Sequence, residues 1–142
     1  MLDNHYKLDI ESRTERITKS NASMCEYYVK MGLLTHSNIY HSLANDYHRK
    51  IISRWRLSCH NLKIETLRRS RVDREERTCE LCGVLEDENH VIYICPRYSE
   101  IRTKYQDLLQ KNYNVEMLLN PTYTKIIETS EFLHEVEALR LE

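Results

Sequence analysis

The stretch CELCGVLEDENHVIYICP, residues 79–96, holds three of the chain's five cysteines and one of its seven histidines. Cys79, Cys82, His90 and Cys95 follow the spacing C-x2-C-x7-H-x4-C. Two cysteines separated by two residues can bring both sulfurs to one ion when a tight turn follows, and Gly83 suits that turn. An acidic loop, VLEDEN, leads to His90, which opens an expected return strand, HVIYIC, residues 90–95, with TCEL, residues 78–81, as its partner. Alternation along such a strand puts residues 90, 92 and 94 on one face and Cys95 on the other. The strand must therefore bend before Cys95, and Pro96 with a helix behind it gives the bend. The Cys95 sulfur then sits at a helix N-terminus, where the dipole favours a thiolate.

Three soft thiolates and one imidazole select zinc, and four protein ligands leave no position for water. The sequence thus predicts a structural zinc ion on Cys79, Cys82, His90 and Cys95, with no hydrolysis at the metal. Buried cysteines beside a surface histidine are the plainer alternative, and iron–sulfur ligation a lesser one. The complete set of four ligands favours zinc over both. A disulfide framework would spread an even number of cysteines, and five of them with three inside 17 residues does not fit one. Cys25 and Cys59 lie outside the set and read as core thiols.

At 142 residues the chain is one domain's worth of protein. Two glycines and two prolines supply few turns, which disfavours a sandwich or barrel of many strands. No stretch approaches the roughly 18 consecutive apolar residues of a spanning helix, and the start, MLDNHYKLDIESR, has no apolar targeting core. The expectation is an intracellular protein with no membrane partner, nucleus or cytoplasm being open. The polar opening has no tail, cap or linker ahead of it, consistent with a piece of something longer.

Helical periodicity recurs along the chain. Met24, Tyr27, Tyr28 and Met31 share a face in residues 22–31, and Gly32 is a reasonable stop. A second helix starts near Ser37 or Asn38. A third runs from about Asp46, with Ile51, Ile52 and Trp55 on one face. After the cysteines, Tyr98, Ile101, Tyr105 and Leu108 recur at helical spacing and are expected to face helices from both ends of the chain. Asn120-Pro121 breaks this run, and residues 122–141 give a last helix. The predicted fold is mainly α: a single small helical domain, residues 1–142, with a central zinc-stabilised β-hairpin. Within it, residues 77–98 form a zinc finger-like ribbon or knuckle.

Beyond the four ligands, Arg56, Ser58, His60, Leu62, Ile64, Glu65 and Arg68 lead into Arg77 before Cys79. Glu88 precedes His90, and Pro96, Tyr98 and Arg102 follow Cys95. This arrangement resembles the zinc-binding segment downstream of the polymerase in reverse transcriptases of non-LTR retroelements, over about residues 50–103. One departure is Leu67, where related sequences commonly have glycine. No adjacent Asp-Asp pair of a polymerase site is present. The resemblance therefore implies an accessory, non-enzymatic module, part of or derived from such an enzyme.

Net charge of -1 conceals a division. Residues 49–78 carry ten basic and four acidic side chains, whereas residues 79–142 carry six basic and twelve acidic. Such a basic block suits phosphate backbones. The candidate contacts for RNA or DNA are Arg54, Arg56, Lys63, Arg68, Arg69, Arg71, Arg74 and Arg77. Tyr47, Trp55 and His60 could stack on bases if exposed, although Trp55 shares a face with Ile51 and Ile52 and reads as core. The alternative is a module that docks against the rest of a larger polypeptide without touching nucleic acid. Cys59 beside His60 forms no nucleophile–base pair, because adjacent residues point apart.

Overall fold

The computed structural model of the chain describes residues 45–112 and 114–141, together with residues 11, 12 and 15. The two helices expected before residue 45, and Cys25, lie outside the described residues. Six α-helices cover much of the rest: α1 Asp46–Arg56, α2 Lys63–Arg69, α3 Ser99–Lys104, α4 Gln106–Lys111, α5 Val115–Leu118 and α6 Ile126–Arg140. No strand occurs among the described residues; the only β feature there is one antiparallel bridge, Thr78 with Leu85.

The Asn45 side chain caps α1 by accepting from the Tyr47 N–H at 2.9 Å, and Asp46 in the first turn suits the helix dipole. Its buried face carries Ile51, Ile52 and Trp55, as the periodicity predicts. The helix ends at Arg56 because Ser58 adopts a left-handed backbone, with φ of 53°. The Ser58 N–H then reaches Trp55 O at 3.2 Å and the Cys59 N–H reaches Arg54 O at 2.7 Å. The same closure ends α2, with Arg71 at φ 59°, Arg71 N–H to Arg68 O at 3.0 Å and Val72 N–H to Leu67 O at 3.0 Å. These are Schellman caps, in which glycine is the usual residue at the left-handed position. A chain with two glycines puts Ser58 and Arg71 there instead.

The run after Pro96 is helical in pieces: a 3-10 turn, Pro96–Tyr98, then α3, a break at Tyr105 and α4. Tyr98, Ile101, Tyr105 and Leu108 are all buried along it. Asn114 caps α5 by accepting from the Met117 N–H at 2.8 Å. A 3-10 turn, Tyr123–Lys125, leads into α6, which packs along α1 and against α3. One continuous core joins Ile51 and Trp55 of α1, Leu62, Ile64, Ile92, Leu108, Leu118 and Phe132, and it includes Cys79 and Cys95. The metal-ligand loops are therefore attached to the main core and do not form a separate lobe.

The expected β-hairpin, and with it the zinc finger-like ribbon at residues 77–98, is overturned. HVIYIC does not extend. Residues 90–94 form a π-helical turn, continuing a helical start at Glu88 and Asn89. The Asp87 side chain caps that start by accepting from the His90 N–H at 2.8 Å. β-branched residues favour strands only where a neighbouring strand and a packing surface exist. The segment before it supplies neither, since it turns back on itself at Gly83 and pairs through a single bridge.

Gly at a left-handed helix cap relieves a Cβ clash worth about 1–2 kcal/mol, against an unfolded-state entropy penalty of roughly 0.5–1 kcal/mol. Arg71→Gly, on the exposed α2 cap, is expected to stabilise the fold by about 0.5–1 kcal/mol in chemical denaturation.

Candidate metal centre

Three short segments bring the four ligands together. The first is the turn at Cys79–Gly83. Gly83 adopts φ of 68°, which a residue with a Cβ takes only under strain, and its N–H donates to Cys79 O at 2.8 Å. The Cys79 N–H donates to Val84 O at 2.8 Å, so Cys79 and Cys82 face inward from a closed loop. The second and third are the two ends of the π-helical turn. The Cys95 N–H reaches back five residues to His90 O at 2.8 Å. Five α-helical steps of about 100° each would carry Cys95 roughly 140° round the axis from His90. The wider turn returns it towards the same side.

The candidate ligand atoms of Cys79, Cys82, His90 and Cys95 all lie within 4.8 Å of one another. Cys95 Sγ is 3.9 Å from Cys79 Sγ and 3.8 Å from Cys82 Sγ. A tetrahedral ion with metal–sulfur bonds of about 2.3 Å separates its sulfurs by about 3.8 Å. His90 is 3% exposed, and neither Nδ1 nor Nε2 has a hydrogen-bond partner among the described residues. A buried imidazole without a partner is costly, and a cation on one nitrogen removes that cost. The four side chains are a Cys3His cluster capable of holding a metal ion.

The thiols agree with this chemistry. At Cys79 burial pushes the thiol up, but backbone N–H groups of Cys82 and Leu81 outweigh it and hold the thiol below its ordinary value. At Cys82 burial, then the neighbouring Cys95 and Cys79 sulfurs, push the thiol up to about 11. One thiolate is favoured, and its sulfur neighbours oppose a second until a cation offsets the charge.

Around the ligands, the residues of the reverse-transcriptase resemblance serve as braces. The Arg102 guanidinium donates to Cys95 O at 2.6 Å and to Val91 O at 3.5 Å. Arg77 donates to Val72 O at 3.0 and 2.8 Å and to Ile64 O at 3.1 Å. His60 is buried, accepts from the Leu62 N–H at 3.4 Å through Nδ1, and donates from Nε2 to Glu88 at 2.8 Å. Arg140 of α6, which the sequence reading missed, pairs with Glu86 and donates to Asn61 O at 2.8 Å. Burial works against its charge, but Glu86 outweighs that and holds Arg140 above its usual value. Nothing local in the sequence joins residues 61, 86 and 140.

The basic block is largely spent on the fold. Arg56 is buried, with Nε donating to Leu119 O at 2.6 Å, and Arg77 is buried as described. Neither belongs to a surface field, because each guanidinium meets backbone carbonyls that no sheet satisfies. Arg54 pairs with Glu137, Lys63 with Glu80, and Arg68 with Glu65. Arg69, Arg71 and Arg74 are exposed, as are Asp73, Glu75 and Glu76 beside them. Of the stacking candidates, Trp55 and His60 are buried and pack on each other, with ring centroids 4.9 Å apart. Tyr47 is exposed and meets His134 edge to face. Cys59 is not a core thiol: the cap at Ser58 turns it out to solvent.

No helix among the described residues is long and apolar enough to cross a membrane. No protein-family model matches the chain, and neither a curated protein nor a solved structure matches it.

Two outcomes are expected in metal-competition titrations. Binding must expel protons from thiols, Cys82 above all, so affinity is expected to rise with pH across the neutral range, by about tenfold or more per pH unit. Arg102→Ala removes no ligand but frees the Cys95 carbonyl, and is expected to weaken metal binding by about 10–100-fold.

Proposed function

We propose that the protein is a non-enzymatic zinc-binding module of intracellular setting. Zn2+ on Cys79, Cys82, His90 and Cys95 would fasten residues 79–95 to the helical core. The observation that carries this reading is His90: it is buried, without a partner for either ring nitrogen among the described residues, beside sulfurs at tetrahedral spacing. Thiolate and imidazole together suit zinc better than calcium or magnesium, which take oxygen ligands. Four protein ligands close the coordination sphere, so the ion supports a shape and has no open position for a substrate.

We further read the module as an accessory part of a non-LTR-type reverse transcriptase, or a derivative of one, docking against the rest of a larger polypeptide. The support is the motif resemblance, together with the bracing roles of Arg77, His60, Glu88 and Arg102. Exposed Leu81, Val84 and Ile94 on the ligand loops suit an apolar contact. RNA or DNA binding is the second reading, favoured by the exposed arginines 69, 71 and 74, which have no ion pair among the described residues. Asp73, Glu75 and Glu76 offset their charge, so docking is the better-supported role.

Native mass spectrometry is expected to find one zinc per chain, lost in His90→Ala and Cys82→Ser variants. Metal-free protein from a native preparation would sink the zinc reading. Fluorescence anisotropy at low salt decides between partners. Binding to RNA or DNA that falls at least tenfold when Arg69, Arg71 and Arg74 are all changed to Glu would favour nucleic acid. No binding is the outcome expected of a docking module.

A further inference from the structure

The three sulfurs of the centre are not equivalent. Cys79 and Cys95 are buried, whereas Cys82 is partly exposed. Cys79 also has backbone N–H groups of Leu81 and Cys82 aimed at its sulfur, which ties up its lone pairs. The Cys95 sulfur lies 3.9 Å from that of Cys79 and 3.8 Å from that of Cys82. Cys95 also lines an open cleft of about 670 Å³, shared with Cys79, Leu81, Arg97 and Tyr98. Cys59 is exposed, and its thiol donates to the Leu57 carbonyl at 3.5 Å. The centre thus combines one partly exposed sulfur, Cys82, with a second held 3.8 Å from it.

We propose that Cys82 and Cys95 form an oxidation site for hydroperoxides, closing as a disulfide that expels the zinc ion. The inference rests on the zinc reading above. The Cys82 thiolate attacks the O–O bond of the peroxide and becomes a sulfenic acid, and hydroxide or alkoxide leaves. The Cys95 thiolate then attacks the Cys82 sulfur, forms the S–S bond and releases a second hydroxide. Two thiolates lose two electrons and one peroxide gains them, so no other oxidant is needed. Zn2+ keeps its charge throughout. It leaves because Cys79 and His90 alone are a weak site, and a dithiol with fresh zinc reverses the change.

The geometry favours this pair over Cys79 with Cys82. The Cys82 and Cys95 sulfurs lie 3.8 Å apart and must close to about 2.05 Å. Cys79 is held from both sides of its turn, by the bonds from Gly83 N–H to Cys79 O and from Cys79 N–H to Val84 O, each 2.8 Å. Cys95, the cap of the π-helical turn, is held as well, by its N–H to His90 O at 2.8 Å and by Arg102 on its carbonyl at 2.6 Å, so the pair closes by movement of the partly exposed Cys82 side chain.

The experiment treats the full chain, its zinc content first measured by native mass spectrometry, with stepwise hydrogen peroxide. Released zinc is read with a chromogenic chelator, and linkages by peptide mapping after alkylation of the remaining thiols. The expected result is a Cys82–Cys95 linked peptide that rises in step with zinc release, about one pair per zinc, in a chain about 2 Da lighter than its reduced, metal-free form. A Cys59→Ser variant is expected to behave identically, because Cys59 takes no part. Zinc release with a Cys79–Cys82 linkage overturns the proposal. So does sulfinic acid at Cys82 without a cross-link, or oxidation of Cys59 while the centre keeps its metal. Protein that contains no zinc at the outset overturns the zinc reading and this inference with it. Zinc-loaded protein that fails the linkage test overturns this inference alone.

Discussion

The hydrogen bond from the Cys95 N–H to His90 O spans five residues, and the metal centre depends on it. An α-helical bond at this point would turn Cys95 away from His90, and an extended strand would send the two to opposite faces. Only the wider turn returns both to one ion while keeping the backbone hydrogen-bonded inside a protein core. The residues between them show the consequence. Val91 and Ile92 point into the core, whereas Ile94 faces solvent beside the ligands. One local backbone choice therefore sets the ligand geometry, the packing of the loop and its outward apolar surface together.

A chain with this little regular structure around its centre has many backbone carbonyls to satisfy. It meets them with guanidinium groups. Arg56 serves Leu119, Arg77 serves Ile64 and Val72, Arg97 serves Leu139, Arg102 serves Cys95, and Arg140 serves Asn61. Arginine suits this work because several fixed donors on one planar group can reach two chain segments at once. The cost falls on any nucleic-acid reading. A positive charge held against a buried carbonyl is not available to a phosphate, so the surplus of six charges in residues 49–78 overstates the field at the surface.

Metal and core act on the same residues. Cys79 and Cys95 belong to the main hydrophobic cluster with Trp55, Leu108 and Phe132, so an ion bound there would cross-link loop and core directly. Residues 70–95 contain only a short 3-10 turn, one bridge and the π-helical turn, too little to fix a loop without cross-links. Arg140 joining Glu86 to Asn61, and His60 joining Glu88, provide two of those links. A metal ion held by the cluster would provide the third, and its binding free energy would then be folding free energy for this part of the molecule.

The sequence by itself determined the helical class, the buried faces of α1 and of the run after Pro96, and the membership of the metal cluster. Each is a matter of spacing: apolar residues at three and four, and ligands separated by two, seven and four. Spacing could not decide the form of HVIYIC, because five apolar or β-branched residues fit a strand or a tight buried turn equally. The tertiary structure decided it, since no neighbouring strand is there among the described residues to accept an extended segment. Nor could composition decide where the arginines point. Arg56 and Arg71 read alike in the sequence, yet one is buried at the end of α1 on the carbonyl of Leu119, while the other caps α2 in solvent. That difference is made by contacts between residues 63 positions apart, which no local pattern carries.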